Sequence, residues 1–245
     1  MADYLIIIPA RYDSKRLTGK PLLDINGIPM IVRTYNQCRK AVAASKILVA
    51  TDDKRIQKIC SKNKINSIIT SKKCLTGTDR IAEVAKKIKK SFYINVQGDE
   101  PICNPKDIKK IINFAKKNPN LILNGYTKIK SKEMFYSPNV PKVVFDKNER
   151  LLYMSRAAIP SNKKFFFVKS WRQVCIYSFP YKSLKIFTSV KKKTTLESIE
   201  DLESNRFLEL GYQIKMIKMS NKSIPVDTKE DLVKVRKLVK NKPFI

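Results

Sequence analysis

The chain has 245 residues, and 43% of them are hydrophobic, which is enough for one α/β domain with a substantial core. No apolar run approaches the ~20 residues that a membrane-spanning helix needs, so we expect neither a membrane span, nor stable membrane association, nor a secretory leader. Five cysteines without a C-x-x-C spacing argue against a disulfide framework and structural zinc, and they fit a reducing cytoplasm.

The formal net charge of +30 comes mostly from lysine, since the 51 basic residues comprise 40 lysines and 11 arginines. The lysines are spread along nearly every predicted helix, whereas a nucleic-acid-binding protein usually concentrates its basic residues on one face. We therefore interpret the charge as a compositional bias that favours solubility, and we expect no nucleic-acid partner. A basic nucleic-acid-binding protein is the alternative from a different functional class.

Strands and helices alternate through the first 120 residues. Continuous runs rich in Ile and Val predict strands that are buried on both faces, and apolar residues at helical spacing predict the helices between them. The predicted strands are residues 4–8, 46–51, 67–70 and 92–96, and the predicted helices lie around residues 28–44, 56–60, 77–88 and 105–115. This alternation indicates right-handed βαβ crossovers and a largely parallel sheet.

The predicted elements are less regularly spaced after residue 120. Strands are predicted at residues 121–127, 142–145, 151–154, 174–179 and 213–219, and helices at residues 181–188, 196–210 and 229–239. No linker rich in Gly, Pro or Ser divides the chain, so residues 1–245 are predicted to form a single domain. Its parts are an α/β half (1–120), a mixed-strand insertion (about 121–190) and closing helices (191–245).

A basic loop follows the first predicted strand, which ends at Pro9 because proline cannot donate a ladder hydrogen bond. Arg11, Lys15, Arg16 and Lys20 lie within ten positions, and their charges repel one another unless an anion lies among them. Ligands bind at the carboxyl ends of strands in open α/β sheets, so a polyphosphate is the predicted occupant. The loop is neither a Walker A sequence nor a dinucleotide fingerprint, and a solvated basic loop is the alternative interpretation.

Three further segments place candidate site residues at the ends of predicted elements. Asp99 follows strand 92–96 on the same sheet edge as the basic loop, where a carboxylate can ligate Mg²⁺, although a plain turn is the alternative. Residues 76–80 open a helix whose free amides can bind a ligand, unless Thr76 or Thr78 simply caps it. Asp227 precedes the last helix and is explained locally as a capping residue.

Six segments together resemble the sugar nucleotidyltransferases, and most closely the 3-deoxy-manno-octulosonate (Kdo) cytidylyltransferases, also called CMP-Kdo synthetases. They are IPARYDSKRLTGKPL (8–22), DINGIPMI (24–31), TGTDR (76–80), VQGDEP (96–101), YMSRAAIP (153–160) and PVDTKEDL (225–232). The resemblance implies a three-layer, Rossmann-like nucleotidyltransferase fold with a mostly parallel central sheet and an inserted mixed-strand subdomain. In that fold, residues 1–120 would bind CTP and residues 121–190 would bind the sugar and form a homodimer.

The resemblance also implies a reaction and a set of site residues. The enzyme would transfer CMP from CTP to a 3-deoxy-2-ulosonic acid, most closely Kdo, and release pyrophosphate. The product would serve lipopolysaccharide or surface-glycan synthesis. The alternative acceptor is 8-amino-Kdo or a nonulosonic acid. The resemblance implies catalytic roles for Arg11, Lys20, Asp99 and Asp227, and it implies that Asp99 and Asp227 bind Mg²⁺. Contacts with CTP fall to Pro9, Ala10, Arg11, Ser14, Arg16, Lys20, Thr76, Gly77, Thr78 and Gln97. Contacts with the sugar fall to Arg80, Gln97, Arg156, Gln173, Tyr177 and Glu203.

Two segments depart from the family pattern, RQVCIY (172–177) and LESNR (202–206). Gln173 stands where the family commonly shows histidine in R-H-x-G-I-Y, and Ser204 stands where it shows glutamine in L-E-Q-L-R. The chain contains no histidine, so no imidazole can serve as a general base or a ligand. Both departures fall in segments that handle the sugar, so they bear on the identity of the acceptor more than on the nucleotide.

Overall fold

The computed structural model describes residues 3–13 and 17–241, and its first half alternates strands and helices as the sequence predicts. A short hairpin, β2–β3, precedes the first helix and was not predicted. The elements are β1 (Tyr4–Ala10), β2 (Asp24–Ile25), β3 (Ile28–Pro29), α1 (Met30–Ala41), β4 (Ile47–Thr51), α2 (Lys54–Lys62), β5 (Ser67–Ile69), α3 (Gly77–Lys87), β6 (Phe92–Val96) and α4 (Pro105–Lys117).

The second half contains one wrong prediction and one short helix, Lys132–Tyr136, that was not predicted. The single helix expected at residues 196–210 is two helices, because Asp201 takes a left-handed conformation with φ of 51° and breaks the chain of helical hydrogen bonds. The elements are β7 (Ile122–Lys128), α5 (Lys132–Tyr136), β8 (Lys142–Phe145), β9 (Leu151–Ser155), β10 (Trp171–Pro180), α6 (Tyr181–Phe187), α7 (Thr195–Glu200), α8 (Glu203–Glu209), β11 (Ile214–Lys218) and α9 (Lys229–Asn241). Among the described helices, none combines the length and the apolar character that a membrane crossing requires.

The main sheet has the strand order β11-β7-β10-β6-β1-β4-β5. Strands β1, β4, β5 and β6 run parallel, and β11 is parallel to β7, whereas β10 is antiparallel to both of its neighbours. The predicted mostly parallel sheet is therefore confirmed. Strands β7 and β10 continue this sheet, and the mixed part of the predicted insertion is the β8–β9 hairpin, which pairs with β10 through β8.

Helices cover both faces of the sheet, which gives three layers. Strand β1 is buried along its whole length, and its alternate side chains enter different cores. Ile6 and Ile8 pack in a cluster with residues of α1 and α4, while Leu5 and Ile7 pack in a second cluster with residues of α3 and α6. The continuous Ile run is therefore explained by burial on both faces of a central strand.

A third apolar cluster attaches the end of the chain to its beginning. Val226, Val235 and Val239 pack with Ile25 of the β2–β3 hairpin and Met30 of α1. The backbone N–H of Val226 also donates a 2.9 Å hydrogen bond to the carbonyl oxygen of Asp99. This packing brings the segment before α9 to the turn after β6.

A buried arginine attaches α7 and α8 to the first turn of α3. Arg206 is fully buried; its Nε and Nη2 atoms each lie 2.6 Å from a carboxylate oxygen of Glu197, and Nη1 lies 3.1 Å from Oδ1 of Asp79. The guanidinium carbon also lies 3.8 Å from the centre of the Phe187 ring. Each charge in this cluster depends on the others, because an unpaired buried charge is costly.

We expect Arg206→Met to lower the free energy of unfolding by about 3–5 kcal/mol, since it leaves Glu197 as a buried, uncompensated carboxylate. Urea unfolding measures the loss. Arg150→Met is the control, because Arg150 pairs with Asp146 at the surface, and such a pair contributes roughly 0–1 kcal/mol. The double substitution Arg206→Met with Glu197→Met should recover much of the loss; a double variant no more stable than Arg206→Met would contradict this explanation.

Candidate functional site

A cavity of about 670 Å³ lies at the carboxyl ends of β1 and β6. This is the edge at which open α/β sheets bind their ligands, because the loops that leave parallel strands meet there. Most of the predicted site residues line it: Pro9, Ala10, Arg11, Lys20, Thr76, Gly77, Arg80, Gln97, Asp99, Arg156, Glu203 and Asp227. Ser14 and Arg16, which are also predicted to contact the nucleotide, lie outside the described residues.

The amine of Lys20 joins the two predicted metal-binding carboxylates. Its Nζ atom lies 2.6 Å from Oδ2 of Asp99 and 3.1 Å from Oδ1 of Asp227. Burial alone would lower the pKa of Lys20, but attraction by the two carboxylates outweighs burial, so the pKa is raised and the amine stays charged. Residues 99 and 227 therefore converge on one point beside the basic loop, as the family resemblance implies.

Two backbone features bring these groups together. A side chain at Gly98 would place its Cβ atom 2.7 Å from the carbonyl oxygen of Pro9, so only glycine lets the turn after β6 approach the end of β1 so closely. Lys20 begins a short 3₁₀ turn, Lys20–Leu22, immediately after Gly19, whose φ of 68° is in the left-handed region. Asp227 is placed by the hydrogen bond between its neighbour Val226 and the Asp99 carbonyl.

The residues at this point suit a hard divalent cation. The side chains of Asp99 and Asp227 are 25% and 20% exposed, so both carboxylates can be reached from the cavity. Within residues 3–13 and 17–241, no group of three or more His, Cys, Asp or Glu side chains could hold a metal. A two-carboxylate site matches the way Mg²⁺ is usually bound, with water and substrate phosphate oxygens completing its shell.

The start of α3 is occupied by a carboxylate of the protein itself. Glu203 accepts hydrogen bonds from the N–H groups of Gly77 (3.0 Å) and Thr78 (2.9 Å), and also from the Thr78 hydroxyl. Thr76 caps the helix by accepting from the N–H of Asp79. The amides that were predicted to bind a ligand therefore bind Glu203 of the same chain. Burial raises the pKa of the Glu203 carboxyl group.

Arg80, which is predicted to contact the sugar, lines the first cavity. It is 2% exposed, its Nη2 atom lies 2.7 Å from Oδ2 of Asp52, and its Nη1 atom donates to the hydroxyl of Thr70. Asp52 and Thr70 directly follow the ends of β4 and β5, so Arg80 joins α3 to the ends of these two strands beside the first cavity. The sequence analysis did not identify Asp52 as a site residue, although its position directly after a predicted strand could have drawn attention to it. Its ion pair with Arg80 was not predicted either.

A second cavity of about 770 Å³ adjoins the first. Gln97, Asp99, Arg156, Glu203 and Asp227 line both, and Gln173 and Tyr177 line the second. The side-chain amide of Gln173 donates to the Tyr177 hydroxyl (2.6 Å) and to Oδ1 of Asn124 (3.2 Å), so both polar groups are held in place on β10. The two cavities meet at the Asp99–Asp227 pair.

Arg156 lines both cavities, and a buried lysine donates a hydrogen bond to its backbone carbonyl oxygen. Arg156 donates to the backbone carbonyl oxygens of Glu200 (2.6 Å), Pro138 (2.9 Å) and Asp201 (3.3 Å). Lys142 is fully buried in β8, and its amine donates to the carbonyl oxygens of Ser137 (2.8 Å) and Arg156 (2.5 Å). Burial, reinforced by the charge of Arg156, lowers the pKa of Lys142 to about 8.

Comparison with known proteins identifies the family. The cytidylyltransferase family model matches residues 5–224. The 3-deoxy-manno-octulosonate cytidylyltransferase of Fusobacterium nucleatum is 40% identical over 239 residues, which are 97% of each chain, and the one of Syntrophus aciditrophicus is 36% identical over 98% of each. The chain belongs to the 3-deoxy-manno-octulosonate cytidylyltransferase family.

Solved structures agree with this assignment. The structure of CMP:2-keto-3-deoxy-manno-octonic acid synthetase complexed with CTP superposes with a TM-score of 0.90 at 33% identity, covering 98% of this chain and 100% of that one. A 4-diphosphocytidyl-2C-methyl-D-erythritol synthase from Anaerococcus prevotii has a TM-score of 0.64 at 16% identity and covers 98% of this chain and 96% of its own. The second likeness shows the nucleotidyltransferase fold alone.

We expect the contribution of Lys142 to the free energy of unfolding to increase with pH between about pH 8 and about pH 10. In this range the folded chain has lost the Lys142 proton, whereas the unfolded chain, with a lysine pKa of about 10.4, still binds it. Urea unfolding of the wild type and of Lys142→Met across this range measures it, with the exposed Lys117→Met as background. The wild-type advantage over Lys142→Met should grow as the pH rises. A difference that stays constant or shrinks would contradict a depressed pKa at this site.

Proposed function

We propose that the chain transfers CMP from CTP to Kdo, a 3-deoxy-2-ulosonic acid, and releases pyrophosphate. The observation that carries this proposal is the contact of Lys20 with both Asp99 and Asp227, at the junction of two adjoining cavities. The names of the relatives and the CTP in the solved structure of one of them support the choice of substrates. Surface-glycan synthesis, of which lipopolysaccharide is one form, is the proposed use of the product.

The first cavity would hold CTP. Arg11 is exposed beside the end of β1 and Lys20 lies deeper, so the two cations lie along a path suited to a triphosphate. Their charges would neutralise the phosphates and stabilise the charge that develops on the leaving pyrophosphate. Because Lys20 is held between carboxylates, a bound phosphate would have to draw its amine from them.

Asp99 and Asp227 would hold Mg²⁺ once Lys20 contacts the phosphates. When bound, this ion would orient the α-phosphate and lower the pKa of a nearby hydroxyl. The carboxylates themselves would fix the ion at the junction of the cavities, where the two substrates meet.

The second cavity would hold the sugar acid with its anomeric hydroxyl toward the first. The oxygen of that hydroxyl would form a new bond to the α-phosphorus and lose its proton to water, while the bond from this phosphorus to the pyrophosphate oxygen breaks in line and pyrophosphate leaves. Arg156, Gln173, Tyr177 and Glu203 are the proposed contacts for the sugar. Because Gln173 offers an amide where the family commonly has histidine, 8-amino-Kdo or a nonulosonic acid is the alternative acceptor.

We propose that the enzyme acts as a homodimer in the cytoplasm. Exposed apolar side chains support an interface: Leu152 on β9 is 62% exposed, and Phe165, Phe166 and Val168 between β9 and β10 are 63–76% exposed. Five free cysteines support a reducing compartment. The rival function, nucleic-acid binding, is disfavoured by acidic groups among the cations of the cavity, since a phosphate backbone would be repelled by them.

We expect Asp99→Ala and Asp227→Ala each to lower the rate of pyrophosphate release from CTP and Kdo by about 100-fold or more, because the site would lose a charge that it needs in the transition state. Circular dichroism checks that the fold is intact. Asp53→Asn is the control, since Asp53 caps α2 and asparagine can do the same. Near-normal turnover by Asp99→Ala would refute the assignment of the carboxylate pair.

A substrate panel tests the specificity. Pyrophosphate release is expected with CTP and Kdo, with weaker release when UTP or ATP replaces CTP, because the family resemblance assigns nucleotide contacts to Thr76 and Gly77, which line the first cavity. A higher kcat/KM with 8-amino-Kdo or a nonulosonic acid would change the acceptor and leave the nucleotide assignment intact. Absence of turnover combined with duplex binding that falls steeply with salt would favour the nucleic-acid-binding alternative.

A further inference from the structure

Glu100, the residue after Asp99, is fully buried and has one unsatisfied oxygen. Its Oε2 atom accepts a hydrogen bond from the hydroxyl of Ser223, which is 1% exposed. Its Oε1 atom has no hydrogen-bond partner among the described residues. A buried carboxyl group in this state costs free energy, so its presence beside the candidate site calls for an explanation in terms of the site.

Glu100 belongs to a set of contacts that fastens the segment before α9 to the turn after β6. Nη2 of Arg172 donates to the carbonyl oxygen of Ser223 (2.8 Å) and to Oδ1 of Asn221 (3.1 Å). The N–H of Val226 donates to the carbonyl oxygen of Asp99. The segment is therefore held at positions 221, 223 and 226, and the next residue is Asp227.

These contacts determine how far apart the two carboxylates lie. Asp99 and Asp227 are 128 positions apart in the sequence (227 − 99), and the Glu100–Ser223 bond links the residue next to Asp99 with the segment that carries Asp227. Loss of this bond would remove one of the links between the two segments that carry the carboxylates. Groups that orient the ligands of a metal are typically worth about 10–100-fold in metal affinity or activity.

We propose that Glu100 is a positioning residue that, through Ser223, sets the geometry of the Asp99–Asp227 pair for a divalent cation. This inference rests on the proposed function, because it takes the pair to be the cation site. The competing explanation is that Glu100 and Ser223 stabilise the fold without affecting the pair.

The test measures cation binding directly. Mn²⁺ replaces Mg²⁺ as the probe, and its EPR signal reports the free ion in a titration of the full-length protein with CTP present. Glu100→Ala and Ser223→Ala should each weaken Mn²⁺ binding by about 10-fold or more and raise the Mg²⁺ concentration for half-maximal activity in parallel. The KM for CTP at saturating Mg²⁺ should change by less than about three-fold, since the effect reaches the nucleotide only through the carboxylates.

Three further variants separate the two explanations. Glu100→Gln keeps an oxygen that can accept from Ser223, so it should restore most of the Mn²⁺ affinity. The double variant Glu100→Ala with Ser223→Ala should be within about two-fold of the weaker single variant, because both changes break the same link. Ile111→Val, in the fully buried core on α4, is the control for lost stability; it should lower the melting temperature and leave Mn²⁺ binding unchanged.

Several results would overturn the inference. Ser223→Ala removes only one hydroxyl group, and unchanged Mn²⁺ affinity in that variant together with a lowered melting temperature would show a purely structural role. Fully additive effects in the double variant would exclude the route through Ser223. No Mn²⁺ binding by the wild type would remove the cation site itself. Mn²⁺ binding that responds to the variants as expected, without pyrophosphate release from CTP and Kdo, would overturn the proposed function and leave this inference standing.

Discussion

The contact of one amine with two carboxylates is the interaction on which the rest of the site depends. Lys20, Asp99 and Asp227 come from the loop after β1, the turn after β6 and the segment before α9. The Lys20 side chain is only 14% exposed, so its charge needs both partners, and each carboxylate is held near the other by the cation between them. In the proposed reaction, Lys20 would contact the substrate phosphates, and Asp99 and Asp227 would hold a divalent cation.

Strand direction, one glycine and one apolar cluster bring these three residues together. Parallel strands on both sides of β1 send their loops to one edge, and glycine at position 98 lets the turn after β6 touch the end of β1. The third apolar cluster then returns the end of the chain to the same place. Two separate sets of buried polar groups add to this packing. Glu100 and Arg172 bind the segment before Asp227, and Arg206 joins α8 to α3.

The sequence alone predicts what depends on local pattern and on strand ends. Buried strands rich in Ile and Val, and acidic or basic residues just after them, were sufficient to place Lys20 and Asp99 at one edge, and the family resemblance added Asp227. The break at Asp201 could not be predicted, since the helical pattern continues through it. Neither could the bonds of Glu203 to α3 or of Arg80 to Asp52, because each joins elements whose relative position follows from packing along the whole chain.

A crystal of the protein grown with Mn²⁺ and a non-hydrolysable CTP analogue tests the central claim most directly. The anomalous difference map should show one peak in contact with the carboxylates of residues 99 and 227, and the amine of residue 20 should have moved from them to the phosphates. A peak elsewhere in the molecule, with that amine still bridging the two carboxylates, would contradict the account.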